Sequence, residues 1–273
     1  MQPEGKEVTV ASKTRLTIAE YVLTSLRAEV MPWRSDRGIP VNPATGKNYL
    51  GVNALTLDAV ATQRKYRNKW WATYHQWKSA GMQVAKRPEN YSGEWGIPVV
   101  SWEENRMKRH TVFNAEQVFG RELKNWLTSQ IEPKDYSIVD ATLNATGAIF
   151  QEGESPLYDR AADLITLPPR SFFRDDPQFY ATKIHELLHW AEERTGWDSP
   201  EDQGELAAEI GTGYVESYFQ IPHDTDLTNC RKWLSAWISG IEKSPQYLFK
   251  AAAQAARASN VLICALQPQK IVV

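Results

Sequence analysis

His185-Glu186-Leu187-Leu188-His189 places two metal-ligating side chains and a carboxylate within five consecutive residues. On an α-helix, residues four apart share a face, so both imidazoles can reach one tetrahedral ion. Glu186 follows the first of them, where it can take a proton from a water that the ion has made acidic. Metal-dependent hydrolysis, with Glu186 as catalytic base, is the chemistry this spacing predicts. The ion expected at such a pair is zinc, with manganese or cobalt as alternatives.

The motif needs a helix, and its flanks supply one. Phe179 to Ile184 leads in, Trp190 to Arg194 leads out, and Thr195-Gly196 gives a C-terminal stop. An ordinary amphipathic helix with two partly buried histidines is the alternative. Ile184, Leu187 and Leu188 already form an apolar face without the histidines, which disfavours it. A third ligand is expected from the next helix. Ser199-Pro200-Glu201-Asp202 reads as its start, with Ser199 as N-cap and Pro200 at the first helical position. Glu205 and Glu209 then lie one turn apart with small residues between them. One can bind the ion while the other accepts the free N–H of a ligand histidine, and the expected assignment is Glu205 as ligand and Glu209 as support. His75, His110 and His223 have no partner pattern and are read as ordinary surface or core residues.

A chain of 273 residues with 42% apolar and 11% aromatic content is globular and long enough for two domains. Cys230 and Cys264 show neither CxxC spacing nor a disulfide pattern, which fits packing residues in a reducing compartment. The absence of a leader-like N-terminus or a long apolar run predicts a cytoplasmic protein without a membrane partner. The net charge of −2 conceals a split. Residues 1–130 hold 19 Lys and Arg against 12 Asp and Glu, a net of +7, which leaves −9 for the remainder. Seven of the eleven tryptophans (Trp33, Trp70, Trp71, Trp77, Trp95, Trp102 and Trp126) lie in the basic half. Cations neutralise phosphates and aromatic rings stack on unpaired bases, so this half is expected to bind single-stranded DNA. Arg64, Lys65, Arg67, Lys69 and Trp70 form its densest stretch. Core packing of the individual tryptophans is the competing reading.

Apolar spacing predicts helices over Leu16–Glu29, Asn53–Thr62, Trp70–Ala80 and Arg121–Gln130, and two more over Asn229–Glu242 and Gln246–Leu262. Asn42 to Tyr49 reads as turns rather than strands. Ile97–Trp102 and His110–Asn114 read as strands joined by a charged hairpin, and Ile131 to Asp135 as a linker. Tyr158 to Pro168 reads as a turn and a strand beside the metal helix, where an extended peptide could add.

Several longer pieces resemble the ArdC-type antirestriction proteins, whose N-terminal domain is shared with plasmid primases of the TraC type. They are Pro32-Trp33, Pro40 to Lys47, Tyr49 to Asn53, Trp71 to Gln76 and Val112 to Gln117 in the basic half. In the acidic half they are Tyr180 to Thr182, His185 to Trp190 and Glu205 to Glu209. Ala85 to Asn90 departs from the family's basic, glycine-containing turn and carries only two cations, Lys86 and Arg87. The resemblance implies an α+β chain: a single-stranded-DNA-binding domain over 1–130 and a mostly helical, gluzincin-like metallopeptidase domain with a small sheet over 131–273. It implies protection of incoming plasmid or phage DNA from restriction, and it adds Lys47, Tyr49, Asn53, Thr73 and Gln76 as candidate DNA contacts. Asn53 can equally cap the helix that follows it. Two function classes follow: a peptidase that cleaves an unidentified host restriction or defence protein, or a DNA-coating protein whose metal is structural. A structural ion has no need of a carboxylate beside its ligand histidine, which favours the peptidase.

Overall fold

Ile18, Val22 and Leu26 recur at four-residue spacing and are fully buried, which makes one stripe of the first helix, α1 (Val10–Arg27), apolar. The computed structural model describes residues 10–104, 106–120 and 136–265 of the chain. After α1, Met31 and Trp33 turn into the core, and a short hairpin of β1 (Val41–Asn42) and β2 (Lys47–Asn48) leads to α2 (Val52–Gln63). The stretch from Asn42 to Tyr49, read as turns rather than strands, instead holds the end of β1 and all of β2, with the turn confined to residues 43–46.

The helix expected over Trp70–Ala80 is instead a strand, β3 (Trp71–Thr73), followed by a short helix, α3 (Tyr74–Ser79). Trp71 and Ala72 are buried by pairing with the sheet, and a capping box between Thr73 and Gln76 starts the helix only there. β4 (Gln83–Val84) pairs with β7 (Val118–Phe119), while β5 (Ile97–Glu103) and β6 (Arg106–Asn114) form the long antiparallel hairpin. With β3, that hairpin makes a three-stranded sheet of order β3-β6-β5. The two strands run further into the charged turn than their apolar residues suggested. The helix expected over Arg121–Gln130 and the linker at Ile131–Asp135 lie outside the described residues.

α4 (Tyr136–Asn144) precedes a second small sheet, in which β10 (Leu164–Leu167) runs parallel to β8 (Ile149–Glu152) and antiparallel to β9 (Leu157–Asp159). β10 is thus central, and β9 is the edge beside the metal helix. Four helices complete the chain: α5 (Asp176–Arg194), α6 (Glu201–Phe219), α7 (Thr228–Lys243) and α8 (Pro245–Ile263). α5 begins where the Asp175 carboxylate accepts the Gln178 N–H at 3.0 Å, and it ends at Gly196, whose φ of 66° is left-handed. Ser199 does not cap α6: Pro200 takes the cap position, and the Ser199 hydroxyl donates to its carbonyl at 3.2 Å. No helix among the described residues is long and apolar enough to cross a membrane.

Two cores hold these helices. One joins Val139, Ile165, Tyr180, Ile184, Leu188 and Leu262, so that α5 is fixed against the second sheet, α4 and α8. The other crosses between the halves of the chain. Ile18, Val22, Leu26, Trp33 and Leu55 pack with Leu206, Ile210, Trp237 and Leu248, and Trp33 meets Trp237 edge-to-face at 5.9 Å.

Candidate functional site

Residues 185, 186 and 189 sit in the middle of α5, which is capped by Asp175 at its start and by Thr195 at its end. His185 Nε2 and His189 Nε2 face each other at 3.1 Å. Glu205, from the first turns of α6, brings its two carboxylate oxygens to 3.5 Å from the first nitrogen and 3.6 Å from the second. Among the described residues these three form the one group of His, Cys, Asp and Glu side chains close enough to share a metal ion. Donors bound at about 2.0–2.1 Å around a tetrahedral ion stand about 3.3–3.4 Å apart, so the three atoms fit such an ion with little adjustment. The electrostatics agree. Burial opposes a charge on His185, but the carboxylates of Glu205, Glu209 and Glu186 outweigh it and push its pKa up to about 9. The pocket favours positive charge at the point the three donors share.

Each imidazole has a carboxylate behind it. His189 Nδ1 lies 3.2 Å from Glu192 Oε2, and His185 Nδ1 lies 3.7 Å from Glu209 Oε1. Both acids are buried. A carboxylate that accepts the Nδ1 proton leaves Nε2 free to donate its lone pair to an ion. Glu209 is held in turn: its other oxygen accepts from Arg34 Nη2 at 3.1 Å and from the Cys230 thiol at 3.1 Å. Burial pushes the Cys230 thiol up, which keeps it a donor. Burial would raise Glu209 as well, but Arg34 and His185 prevail and hold it below the usual carboxylate range. Sequence reasoning missed Glu192, although its position three residues after His189 on one helix is a readable signal. It also missed Arg34, which has no spacing relation to the site.

Glu186 is buried at the wall of the same cleft, and its Oε2 accepts the backbone N–H of Tyr158 at 2.7 Å. This bond ties the metal helix to the edge strand β9. The cleft encloses about 950 Å³ and runs past His185, Glu186, His189 and Glu205. Leu157, Phe172 and Trp233 contribute apolar side chains to its lining.

Two family models match the chain in succession. Residues 12–130 match the N-terminal domain of anti-restriction factor ArdC, and residues 137–254 match the zincin-like metallopeptidase family. The Mn(II)-bound crystal structure of the antirestriction ArdC protein from plasmid R388 superposes with a TM-score of 0.78 at 26% identity, covering 93% of this chain and 99% of that one. Its metal-free form gives 0.75 at 25% identity, covering 92% and 97%. The chain joins an ArdC-type N-terminal domain to a zincin-like metallopeptidase domain and resembles ArdC along nearly its whole length. A DNA primase TraC of Escherichia coli is 29% identical over 92% of this chain and 27% of the primase, and a second is 28% identical over 92% of this chain and 20% of its own length. The chain thus spans about a quarter and a fifth of those primases. The uncharacterized protein y4eC of Sinorhizobium fredii (strain NBRC 101917 / NGR234) is 28% identical over 82% of each chain.

In the ArdC N-terminal domain, the candidate DNA contacts separate into two groups. Tyr49, Asn53, Thr73 and Gln76 are bonded within the fold. The Tyr49 hydroxyl donates to the Trp71 carbonyl at 3.0 Å. Asn53, inside α2 rather than at its cap, makes a pair of hydrogen bonds with Val100: its Nδ2 donates to the carbonyl at 2.7 Å and its Oδ1 accepts the N–H at 2.8 Å. Thr73 and Gln76 form the capping box of α3. Arg64 is also committed, donating to the carbonyls of Trp95 and Glu94 and lying 5.2 Å above the Tyr91 ring. Lys47, Lys65 and Arg67 are exposed, and Lys69 lies half-buried over the Trp70 ring at 5.7 Å. Of the seven tryptophans counted in this half, Trp33, Trp71 and Trp77 are core, Trp102 is 58% exposed, and Trp126 lies outside the described residues.

Proposed function

We propose that this chain is a metal-dependent peptidase carried on a single-stranded-DNA-binding module, and that it protects incoming plasmid or phage DNA from restriction. The observation that supports it most directly is the convergence of His185 Nε2, His189 Nε2 and Glu205 on one point in a cleft walled by Glu186. His185, His189 and Glu205 would hold a divalent ion: zinc by the nitrogen-rich donor set, with manganese or cobalt also suited to it. When bound, such an ion polarises a peptide carbonyl and lowers the pKa of a water toward ~7. Glu186 would accept a proton from the attacking water and pass it to the leaving amine. The Tyr158 N–H fixes the carboxylate meanwhile, and β9 offers the substrate an edge along which to extend. The substrate in this reading is a restriction or defence protein of the recipient cell, and the protein acts in the cytoplasm.

DNA binding would reside in residues 1–130 and peptidase chemistry in 131–273, with the exposed Lys47, Lys65 and Arg67 and the half-buried Lys69 and Trp70 as the contacts. The deciding experiment transfers a plasmid into restricting cells that express either the wild-type chain or Glu186→Ala, with bound metal measured in both proteins. Loss of protection at unchanged metal content is expected. Full protection by Glu186→Ala would replace proteolysis with protection by coating the DNA, and unequal metal content would remove Glu186 from its assigned role.

A further inference from the structure

We infer that Arg34, from the basic half of the chain, is a positioning residue of the metal centre: it fixes Glu209, which in turn sets which nitrogen of His185 faces the ion. The inference rests on the metal-site reading above and extends it to a residue outside the metallopeptidase family match.

The geometry starts from α6. Glu205, Glu209 and Gly213 follow one another at four-residue spacing and so share a face. The first reaches the two imidazoles, the second stands behind His185, and the third leaves room for the main chain of Trp33. A Cβ at position 213 would lie 2.1 Å from the Trp33 carbonyl oxygen, so only glycine admits this approach. With Trp33 seated there, the next side chain falls beside Glu209. Arg34 Nη2 donates to Glu209 Oε2 at 3.1 Å, while Nη1 donates to the carbonyls of Asp224 at 2.8 Å and Asp226 at 3.0 Å. Both partners are largely out of solvent, with side-chain exposures of 13% for Arg34 and 6% for Glu209. Arg34 and Cys230 both grip Glu209 by Oε2, which leaves Oε1 turned toward His185 Nδ1 at 3.7 Å. The three carbonyl and carboxylate partners of Arg34 leave little freedom in where that acceptor points.

The test uses the full chain and the bare ions Mn(II) and Zn(II), each titrated against the chelator-treated protein. Arg34→Gln should raise the Kd for both ions by about 10–100-fold, the usual effect of removing a group that orients a ligand. Glu209→Gln should do the same, and the double variant should be no worse than either single one, because both remove one chain of contacts. In zinc-loaded protein labelled with ¹⁵N-histidine, the His185 Nδ1 resonance should shift in Arg34→Gln while that of His189 stays, a change that general destabilisation would not produce. An unchanged Kd in a folded Arg34→Gln protein, or losses that add in the double variant, would overturn the inference. Should Arg34→Gln fail to fold, Arg34→Lys keeps the charge but loses the fork, and a several-fold rise in Kd that vanishes in the Glu209→Gln background is then the expected result. An unchanged Kd in Arg34→Lys overturns it equally. A wild-type chain that binds neither ion would overturn the metal-site reading itself, which is a different outcome from wild-type binding with no effect of Arg34.

Discussion

His185, His189 and Glu205 turn their donor atoms toward one another, whereas Tyr49, Asn53, Thr73 and Gln76 turn theirs into the fold. Both sets belong to the longer motifs of the chain, so a motif by itself does not separate chemistry from architecture. The difference lies in what remains unmet. Around His185, His189 and Glu205, three donors crowd one point with carboxylates behind them, an arrangement that a cation would stabilise. In the basic half, the motif side chains have satisfied one another, and the residues left for a ligand are the less distinctive lysines and arginines between them.

That contrast can be broken most forcefully at the centre. His185→Ala should weaken Mn(II) or Zn(II) binding by more than about a hundredfold, a loss larger than that from any supporting residue. Saturating metal at 100 times its Kd stabilises the wild-type fold by about 2.7 kcal/mol, and His185→Ala should lose this gain in thermal melts. Equal metal content in the two proteins would dissolve the contrast. In the basic half, Asn53→Ala should cost about 1–3 kcal/mol in urea denaturation, because it strands both polar groups of Val100. Thr73→Ala should cost about 1 kcal/mol through the lost cap. Neither should alter the salt dependence of binding to a single-stranded oligonucleotide. Lys65→Ala and Arg67→Ala should do the reverse, each lowering the log–log salt slope by about 0.7 with stability nearly unchanged. A slope that follows Asn53 instead would make it a DNA contact after all.

An effect confined to the pH dependence of stability concerns Asp58 on α2. Burial pushes its pKa up to about 7, and Arg37, 3.6 Å away, offsets this only in part. The folded state thus holds this proton more tightly than the unfolded chain, whose carboxylate titrates near 3.8. The stability it contributes is complete at low pH and is lost as pH rises through about 7. Asp58→Asn should flatten this component between those two values, measured as the urea midpoint against pH.

The helix of His185 and His189 was legible because its signal is local: five residues, two flanks and a glycine stop define it. The α6 acids were legible for the same reason, although the cap fell on Pro200 rather than Ser199. Trp70 to Ala80 misled because apolar residues at near-helical spacing also suit a strand when β6 stands ready to pair, and only the Thr73 cap divides the two. Tyr158 to Pro168, read as a turn and one exposed strand, holds the end of β9 and all of β10, and β10 is central rather than exposed, because pairing order is not carried by sequence. Arg34 was invisible because its partner lies 175 positions away.

The core that joins Ile18, Leu26 and Trp33 to Ile210, Trp237 and Leu248, together with the bond from the Tyr214 hydroxyl to the Gly51 carbonyl at 2.7 Å, bears on how the molecule comes apart. Neither half can open without exposing apolar surface of the other. Heating should therefore give a single calorimetric transition whose van't Hoff and calorimetric enthalpies agree, rather than one step for each family module.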